Sequence, residues 1–149
     1  MKLIAHRGNV NGPNKERENH PDYILQALNM GYDVEVDCWV IDSNYFLGHD
    51  EPLYLVSEEF LSTAGLWIHC KNIDAMSCLK NSSIINPYFF HNIDDVTLTS
   101  NGYFWTYPGK QLTPWSIAVM PEMAAFDNIE IAYAVCSDFV EFNTKYMSQ

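Results

Sequence analysis

Two carboxylates, Glu35 and Asp37, stand two positions apart in the β-branched run Val-Glu-Val-Asp-Cys-Trp-Val-Ile of residues 34–41. Alternate side chains of a β-strand point to the same face, so both acids share one face and the valines and the cysteine between them share the other. Two acids in a strand that is otherwise suited to a core are costly unless something compensates their charge. A divalent cation is the most economical partner, so the run predicts a metal site.

Two histidines are placed where they could act beside that cation. His49 follows the acidic strand after a turn at residues 42–44, near enough for a hairpin to bring its imidazole back over the acids. His6 and Arg7 end a short apolar strand predicted over residues 3–5, and α/β folds place chemistry at the carboxyl ends of strands. The pattern therefore predicts acid-base groups next to a metal ion.

The elements that would position these residues follow from the hydrophobic pattern. A strand over residues 3–5, a helix over about 22–30 that Gly31 ends, and the acidic strand form a βαβ unit. Further strands are predicted over 66–71, 84–90, 102–107, 116–120 and 132–136, with short helices over 57–61 and 74–80 and room for one helical turn at 94–99. Each strand ends in polar residues, which favours a parallel sheet or barrel of the α/β class.

The overall composition excludes several classes of protein. With 149 residues, of which 48% are hydrophobic, the chain predicts one domain with a sizeable core. A net charge of −11 with only 8 Lys and Arg argues against binding to nucleic acid or to an anionic membrane surface. No run approaches the length of a membrane span and the opening residues are too few for a signal-peptide core, so we expect a soluble, cytoplasmic protein.

The spacing of the cysteines predicts their redox state. The four cysteines are widely spaced without a Cys-x-x-Cys pair, which predicts reduced, buried thiols, with a disulfide or a zinc site as the alternative.

In sequence order the chain shows the following motifs: His6-Arg7-Gly8, Glu18-Asn19, Glu35-Val36-Asp37, Gly48-His49-Asp50 with Pro52-Leu53, His69-Cys70-Lys71 and Val135-Cys136-Ser137-Asp138-Phe139. In order and spacing these motifs resemble the glycerophosphodiester phosphodiesterase family, most specifically over residues 3–53.

The resemblance implies a TIM-type (β/α) barrel that cleaves a phosphodiester with one divalent metal ion, Mg²⁺, Ca²⁺ or Mn²⁺. By position it assigns the following roles: Glu35 and Asp37 as metal ligands, His6 and His49 as the acid-base pair, and Arg7 and Lys71 as phosphate contacts. His69 stands where the family has an acidic ligand, and a nitrogen ligand there would favour Mn²⁺. Glu122 is then the candidate to supply the missing carboxylate.

The length of the chain limits how complete such a barrel can be. Barrels of this type usually have about 200 residues or more, so we expect a reduced barrel, with several helices short or missing, as a single domain over residues 1–149. Bare strand walls would be apolar. Either Phe89, Phe104, Trp115 or Phe126 covers them, or a second copy of the chain does, which would make a homo-oligomer.

Function and site both have alternatives at this stage. The main prediction is a phosphoric diester hydrolase acting on a small phosphodiester, with a cyclic phosphate as product if a substrate hydroxyl attacks. The alternative is a catalytically silent domain that binds a phosphate or a glycan. Glu35 and Asp37 could also serve only as salt-bridge partners of Arg7 and Lys71. Trp105 is a candidate for stacking on substrate, although aromatic strand residues are usually core.

Overall fold

The computed structural model describes residues 1–146, with side chains described through residue 143. The strands are β1 (Lys2–His6), β2 (Asp33–Ile41), β3 (Asn44–Leu47), β4 (Tyr54–Val56), β5 (Leu66–Cys70), β6 (Tyr88–Phe90), β7 (Val96–Leu98), β8 (Phe104–Thr106), β9 (Ser116–Val119) and β10 (Ala134–Ser137). The α-helices are α1 (Pro21–Asn29), α2 (Glu58–Leu61) and α3 (Ile73–Asn81), and short 3₁₀ helices cover Ile129–Ile131 and Val140–Tyr146.

All of these strands belong to one curled sheet of mixed direction. Parallel pairs join β6, β5, β2, β1, β10, β9 and β8 in that order, whereas β7 is antiparallel to β8. The hairpin of β3 and β4 extends antiparallel from the second half of β2. The curl brings β6 towards β7, where the Ser100 amide donates to the Tyr88 carbonyl over 2.8 Å and the Thr97 hydroxyl donates to the Phe90 carbonyl over 2.9 Å.

The prediction of a TIM-type (β/α) barrel is wrong. Over residues 1–146 the structure is a sheet-dominated, curled half-barrel with only three short α-helices, so helices do not alternate with the strands as that fold requires. The connections that join β6, β7, β8 and β9 are too short to hold a helix that could pack on the sheet, and the longer connection from β9 to β10 forms only the 3₁₀ helix Ile129–Ile131. Residues 94–99, where one helical turn was expected, instead form the antiparallel strand β7.

The first half of the chain forms its elements where its local signals predict them. Helix α1 begins at the cap His20, whose ring accepts a hydrogen bond from the Asp22 amide, and it ends before Gly31 at φ 93°. The hairpin after β2 turns at Asp42 and Ser43, both with positive φ (49° and 63°), as a two-residue hairpin needs. The predicted βαβ unit and hairpin are therefore confirmed.

The strands sort their side chains onto two faces. The outer face packs against the helices and includes Val34, Val36 and Cys38, as the alternation in β2 predicts. The inner face holds a second cluster: Ile4, Trp67, Phe89, Trp105, Ile117, Val119, Ala134 and Cys136. All four cysteines are free and three of them are buried, and their reduced state stays a prediction. Within residues 1–146, no helix is long and apolar enough to cross a membrane.

Candidate metal and phosphate site

The inner-face cluster determines where the polar residues meet. In five strands, two positions after the last apolar inner residue and at the carboxyl end of the sheet, the same face carries a polar side chain. The successions are Ile4 to His6, Trp67 to His69, Phe89 to His91, Trp105 to Tyr107 and Cys136 to Asp138. In β2 the acids themselves, Glu35 and Asp37, take this face. A cavity of about 450 Å³ opens among these ends.

A buried cluster of two acids and one imidazole lies at its base. Glu35 and Asp37 are 2% and 0% exposed, and parallel pairing of β2 with β5 places Asp37 beside His69. The His69 Nδ1 atom lies 3.1 Å from Asp37 Oδ1 and 3.7 Å from Glu35 Oε1. One ligand atom from each of the three residues lies within 4.8 Å of the others, which is the spacing that a shared metal ion requires.

Asp37 is surrounded by compensating groups. The Asn19 side-chain amide donates to Asp37 Oδ2 over 2.9 Å, and the Asp37 backbone amide donates back to Asn19 Oδ1 over 2.9 Å. Arg7 Nε lies 3.1 Å from Oδ2 and Lys71 Nζ lies 3.8 Å from Oδ1. Burial raises the pKa of Asp37, but His69 and the charge of Arg7 outweigh it and hold that pKa well below its usual range. Asp37 is therefore ionised.

Glu35 is less well compensated. Burial and the neighbouring charge of Asp37 both raise its pKa, against the opposing effects of His6, His69 and Arg7. Its Oε2 atom accepts a hydrogen bond from the Arg7 backbone amide over 3.2 Å and lies 3.9 Å from His6 Nε2. A further cationic partner would therefore stabilise the ionised form of the Glu35 carboxylate.

Two atoms of the cluster are buried without a hydrogen-bond partner among the described residues, namely Asp37 Oδ1 and His69 Nε2. Although Asp37 Oδ1 lies close to His69 Nδ1, that contact does not have hydrogen-bond geometry. Buried polar atoms are rarely left unpaired, and such exceptions often mark an ion or a functional site. Carboxylate oxygens with one imidazole nitrogen fit a divalent cation, and the nitrogen favours Mn²⁺ over Mg²⁺ or Ca²⁺.

His6 is held in one orientation by Asp138. His6 Nδ1 lies 2.8 Å from Asp138 Oδ1, which also accepts a hydrogen bond from the Asn9 side chain over 2.8 Å. With Nδ1 engaged, Nε2 is the His6 nitrogen on the side of Glu35. Burial lowers the pKa of His6, but the hydrogen bond to Asp138 and the charge of Glu35 outweigh it and raise that pKa. The arrangement is that of an imidazole oriented for proton transfer.

His49 lies at the rim of the same cavity. Its side chain is 41% exposed, and its Nδ1 atom lies 2.7 Å from Asp50 Oδ1. Arg7 and Glu18 line the cavity between the two histidines, and their side chains pair with Nη1 and Oε2 3.2 Å apart. Both histidines thus face the cavity that the acids underlie, each with a carboxylate on its Nδ1 atom.

Of two further residues predicted for the site, Glu122 lies outside the metal-ligand cluster and Trp105 lines the cavity. The exposed Glu122 accepts hydrogen bonds from the Ser137 hydroxyl over 3.0 Å and the Asp138 amide over 2.9 Å, and it is not one of the three residues in the metal-ligand cluster. It supports the turn that carries Asp138. Trp105 is 3% exposed and stacks on Phe89 with ring centroids 4.4 Å apart, so it contributes to the core and the cavity floor.

The sequence did not identify the following residues as part of the site: Asn9, Glu18, Asn19, His91, Tyr107 and Asp138. Strand alternation could have identified His91, Tyr107 and Asp138, since each stands two positions beyond an inner-face residue of its strand. His91 lines the cavity together with Tyr107 and Asp138. Asn9 and Glu18 lie in a loop where no periodicity could have identified them.

No family model, no curated protein and no solved structure matches this chain.

Proposed function

We propose that this protein is a metal-dependent phosphodiesterase that acts on a small phosphodiester. The observation that carries the proposal is the buried cluster of Glu35, Asp37 and His69, with ligand atoms within 4.8 Å of one another and two of its polar atoms unpartnered. Cations, carboxylates and imidazoles converge on one cavity beside it. This combination suits a reaction in which negative charge develops on phosphoryl oxygens while protons move.

Glu35, Asp37 and His69 would hold one divalent cation. When bound there, the cation supplies Lewis acidity towards a phosphoryl oxygen. Arg7 and Lys71 lie on the two oxygens of Asp37 and add positive charge beside the proposed cation, Arg7 from the lining of the cavity. In the proposed reaction they neutralise the phosphoryl oxygens that the cation does not contact.

The two histidines move the protons. His6 presents its Nε2 atom while Asp138 holds its Nδ1 atom, and His49 is paired with Asp50 in the same way at the rim. One histidine takes the proton of the attacking oxygen and the other gives a proton to the leaving oxygen. The attacking group is either water, which yields a monoester, or a neighbouring substrate hydroxyl, which yields a cyclic phosphate.

The cavity and the charge of the protein restrict the substrate. A volume of about 450 Å³ lies within the range of small-molecule sites. A net charge of −11 disfavours long polyanions such as nucleic acids. The substrate we propose is therefore a small phosphodiester, and the free thiols suit a reducing compartment such as the cytoplasm.

The test is turnover of bis(4-nitrophenyl) phosphate with Mn²⁺, Mg²⁺ or Ca²⁺, and with chelator, by wild type, His6→Gln and His49→Gln. We expect turnover that chelator abolishes and that replacement of the histidine acting as general base lowers by about 10²–10⁴-fold. Replacement of the histidine acting as general acid should have a smaller effect, because 4-nitrophenolate leaves without a proton. His20→Gln is the matched control, because His20 caps α1 and does not line the cavity. Phosphorus NMR of the products from 2-hydroxypropyl 4-nitrophenyl phosphate, whose hydroxyl can attack its own phosphorus, then distinguishes hydrolysis from cyclisation.

A second candidate function is a catalytically silent domain that binds a phosphorylated small molecule or a glycan. It is favoured by the surroundings of Asp37, where Arg7, Lys71 and Asn19 already compensate the carboxylate. If folded wild type turns over no phosphodiester with any of the three cations, this candidate replaces the phosphodiesterase. Equal activity in the wild type and both histidine variants would also contradict the proposed mechanism.

A further inference from the structure

A stacked pair of rings forms the side of the cavity that the proposed mechanism leaves unused. His91 follows β6 and Tyr107 follows β8, and their ring centroids lie 3.6 Å apart at an interplanar angle of 22°. Both residues line the cavity together with His6, Glu35 and His69. The two residues follow strands that carry neither Glu35 nor Asp37.

Both rings carry a polar atom without a partner. The Tyr107 hydroxyl and His91 Nδ1 are buried and make no hydrogen bond among the described residues. A buried donor without an acceptor costs free energy, which a ligand oxygen would recover on binding. Two such atoms, side by side on one wall of a ligand-sized cavity, are a feature that core packing alone does not require.

The charge around Tyr107 favours a donor role. Burial raises the pKa of Tyr107, and the nearby carboxylates, Glu35 first among them, raise it further. The hydroxyl therefore keeps its proton at neutral pH and can donate it to an acceptor. A phosphoryl oxygen that enters between the acids and this wall would be such an acceptor, since it accepts hydrogen bonds strongly.

We propose that Tyr107 is a substrate-binding residue, which donates a hydrogen bond from its hydroxyl to a non-bridging phosphoryl oxygen, and that His91 positions its ring by stacking. The inference rests on the proposed function in taking a phosphoryl group as the ligand. It assigns recognition of that group to two parts of the cavity lining, Arg7 and Tyr107.

The experiment compares Tyr107→Phe with the control Tyr103→Phe. Tyr103 also stacks on another ring, that of Tyr133 at 3.9 Å, but it lies at the other end of β8 and does not line the cavity. We expect Tyr107→Phe to lower kcat/KM for bis(4-nitrophenyl) phosphate with Mn²⁺ by about ten- to a hundred-fold, as for a lost hydrogen bond to a charged group. Mn²⁺ affinity, measured by calorimetry, stays at the wild-type value.

Two further measurements separate recognition from folding and from turnover. Calorimetric titration of the Mn²⁺-loaded protein with inorganic phosphate should show weaker binding for Tyr107→Phe and no change for Tyr103→Phe. His91→Ala should also lower kcat/KM, and its effect should not add to that of Tyr107→Phe, because both act on the same contact. A purely structural role would instead give additive losses that follow the loss of thermal stability.

The outcomes distinguish this inference from the proposed reaction. If wild type turns over the diester and Tyr107→Phe matches it, the inference about Tyr107 is overturned and the reaction stands. If wild type turns over nothing but binds phosphate through Tyr107, the inference stands and the reaction falls. A fall in Mn²⁺ affinity of Tyr107→Phe equal to its loss of phosphate binding would overturn the inference, because Tyr107 would then support the cation.

Discussion

The two halves of the curled sheet solve the same problem in different ways. Around β1, β2 and β5 the chain forms helices α1 and α3, and the inner face ends in charged groups that neutralise one another. From β6 onwards the described chain forms no α-helix, and the inner faces of β6 and β8 end in a stack of aromatic rings. Both halves line one cavity.

This difference shows how a short chain can stabilise two buried acids. Glu35 and Asp37 are tolerated because the helix-bearing half surrounds them with fixed donors such as Asn19 and Arg7. The aromatic half supplies low-polarity walls that need little backbone to support them, since Trp105 stacks on Phe89 and also packs against Trp67 of β5. Charge is thus concentrated where the scaffold is most regular, and apolar surface where it is least.

The largest effect we expect comes from the charged half. Asp37→Asn removes the carboxylate that contacts Arg7, Lys71 and His69, and with it one of the proposed cation ligands. A bound cation is worth several kcal/mol of transition-state stabilisation, so turnover should fall by about 10³-fold or more. Steady-state turnover and calorimetric Mn²⁺ titration measure the two losses together.

The control for this change lies on the same strand. Asp33→Asn alters an acid at the other end of β2, where the carboxylate contacts Lys2 over 2.6 Å and accepts a hydrogen bond from Trp67 over 2.9 Å. It should retain turnover and Mn²⁺ binding. If Asp37→Asn retained both as well, the charged half would be a structural ion-pair network and the contrast between the halves would lose its functional meaning.

The next effect belongs to the aromatic half and concerns stability. Phe89 is 2% exposed and lies between His69, with ring centroids 4.9 Å apart, and Trp105, 4.4 Å away. Phe89→Ala should therefore lower the free energy of unfolding by about 3–5 kcal/mol, as for other large-to-small changes in cores. Urea unfolding followed by circular dichroism measures it.

Phe142→Ala serves as the comparison for the aromatic half, because that ring is 67% exposed and should change stability little. A loss below about 1 kcal/mol for Phe89→Ala would be typical of surface residues rather than cores. It would mean that the ring stack is not the core of its half, and that the short strands are held by the backbone ladder instead.

How far the sequence predicts the fold differs between the halves for a physical reason. The first half has local signals that suffice alone: the cap at His20, the stop at Gly31 and the alternation in β2. The second half has short strands whose pairing depends on distant partners. The run predicted as a strand over residues 84–90 is a strand only at Tyr88–Phe90, and β7 was missed because its three residues carry too few periods to reveal an alternation.

The site was predicted in the same uneven manner. The sequence placed Glu35 and Asp37 on one face, and the structure has both on the inner face beside His69, because strand alternation is a property of the backbone alone. It could not place Glu122, because its position depends on how the connection after β9 turns. The resemblance to a longer family misled the fold prediction most, since motifs can be shared while the helices around them are absent.

The smallest expected effect is on folding stability and comes from the pairing of His6 with Asp138 in the charged half. Chelator keeps the protein free of metal in this measurement. The folded state raises the pKa of His6 above 6.5, because Asp138 and Glu35 outweigh the opposing effect of burial. The folded protein therefore binds this proton more tightly than the unfolded chain does. The stabilisation is fully present below pH 6.5 and is lost as the pH rises through the folded-state pKa.

Urea unfolding of wild type and His6→Gln between pH 5.5 and 9 measures this contribution. The stability difference should be largest at the acidic end and should decline with pH by at most about 1.4 kcal/mol per pH unit, the limit for one proton. Tris is avoided so that the buffer does not contribute its own temperature-dependent pH. A difference that stayed constant or grew with pH would mean that burial prevails at His6, and that its Nδ1 contact with Asp138 is a neutral hydrogen bond rather than an ion pair.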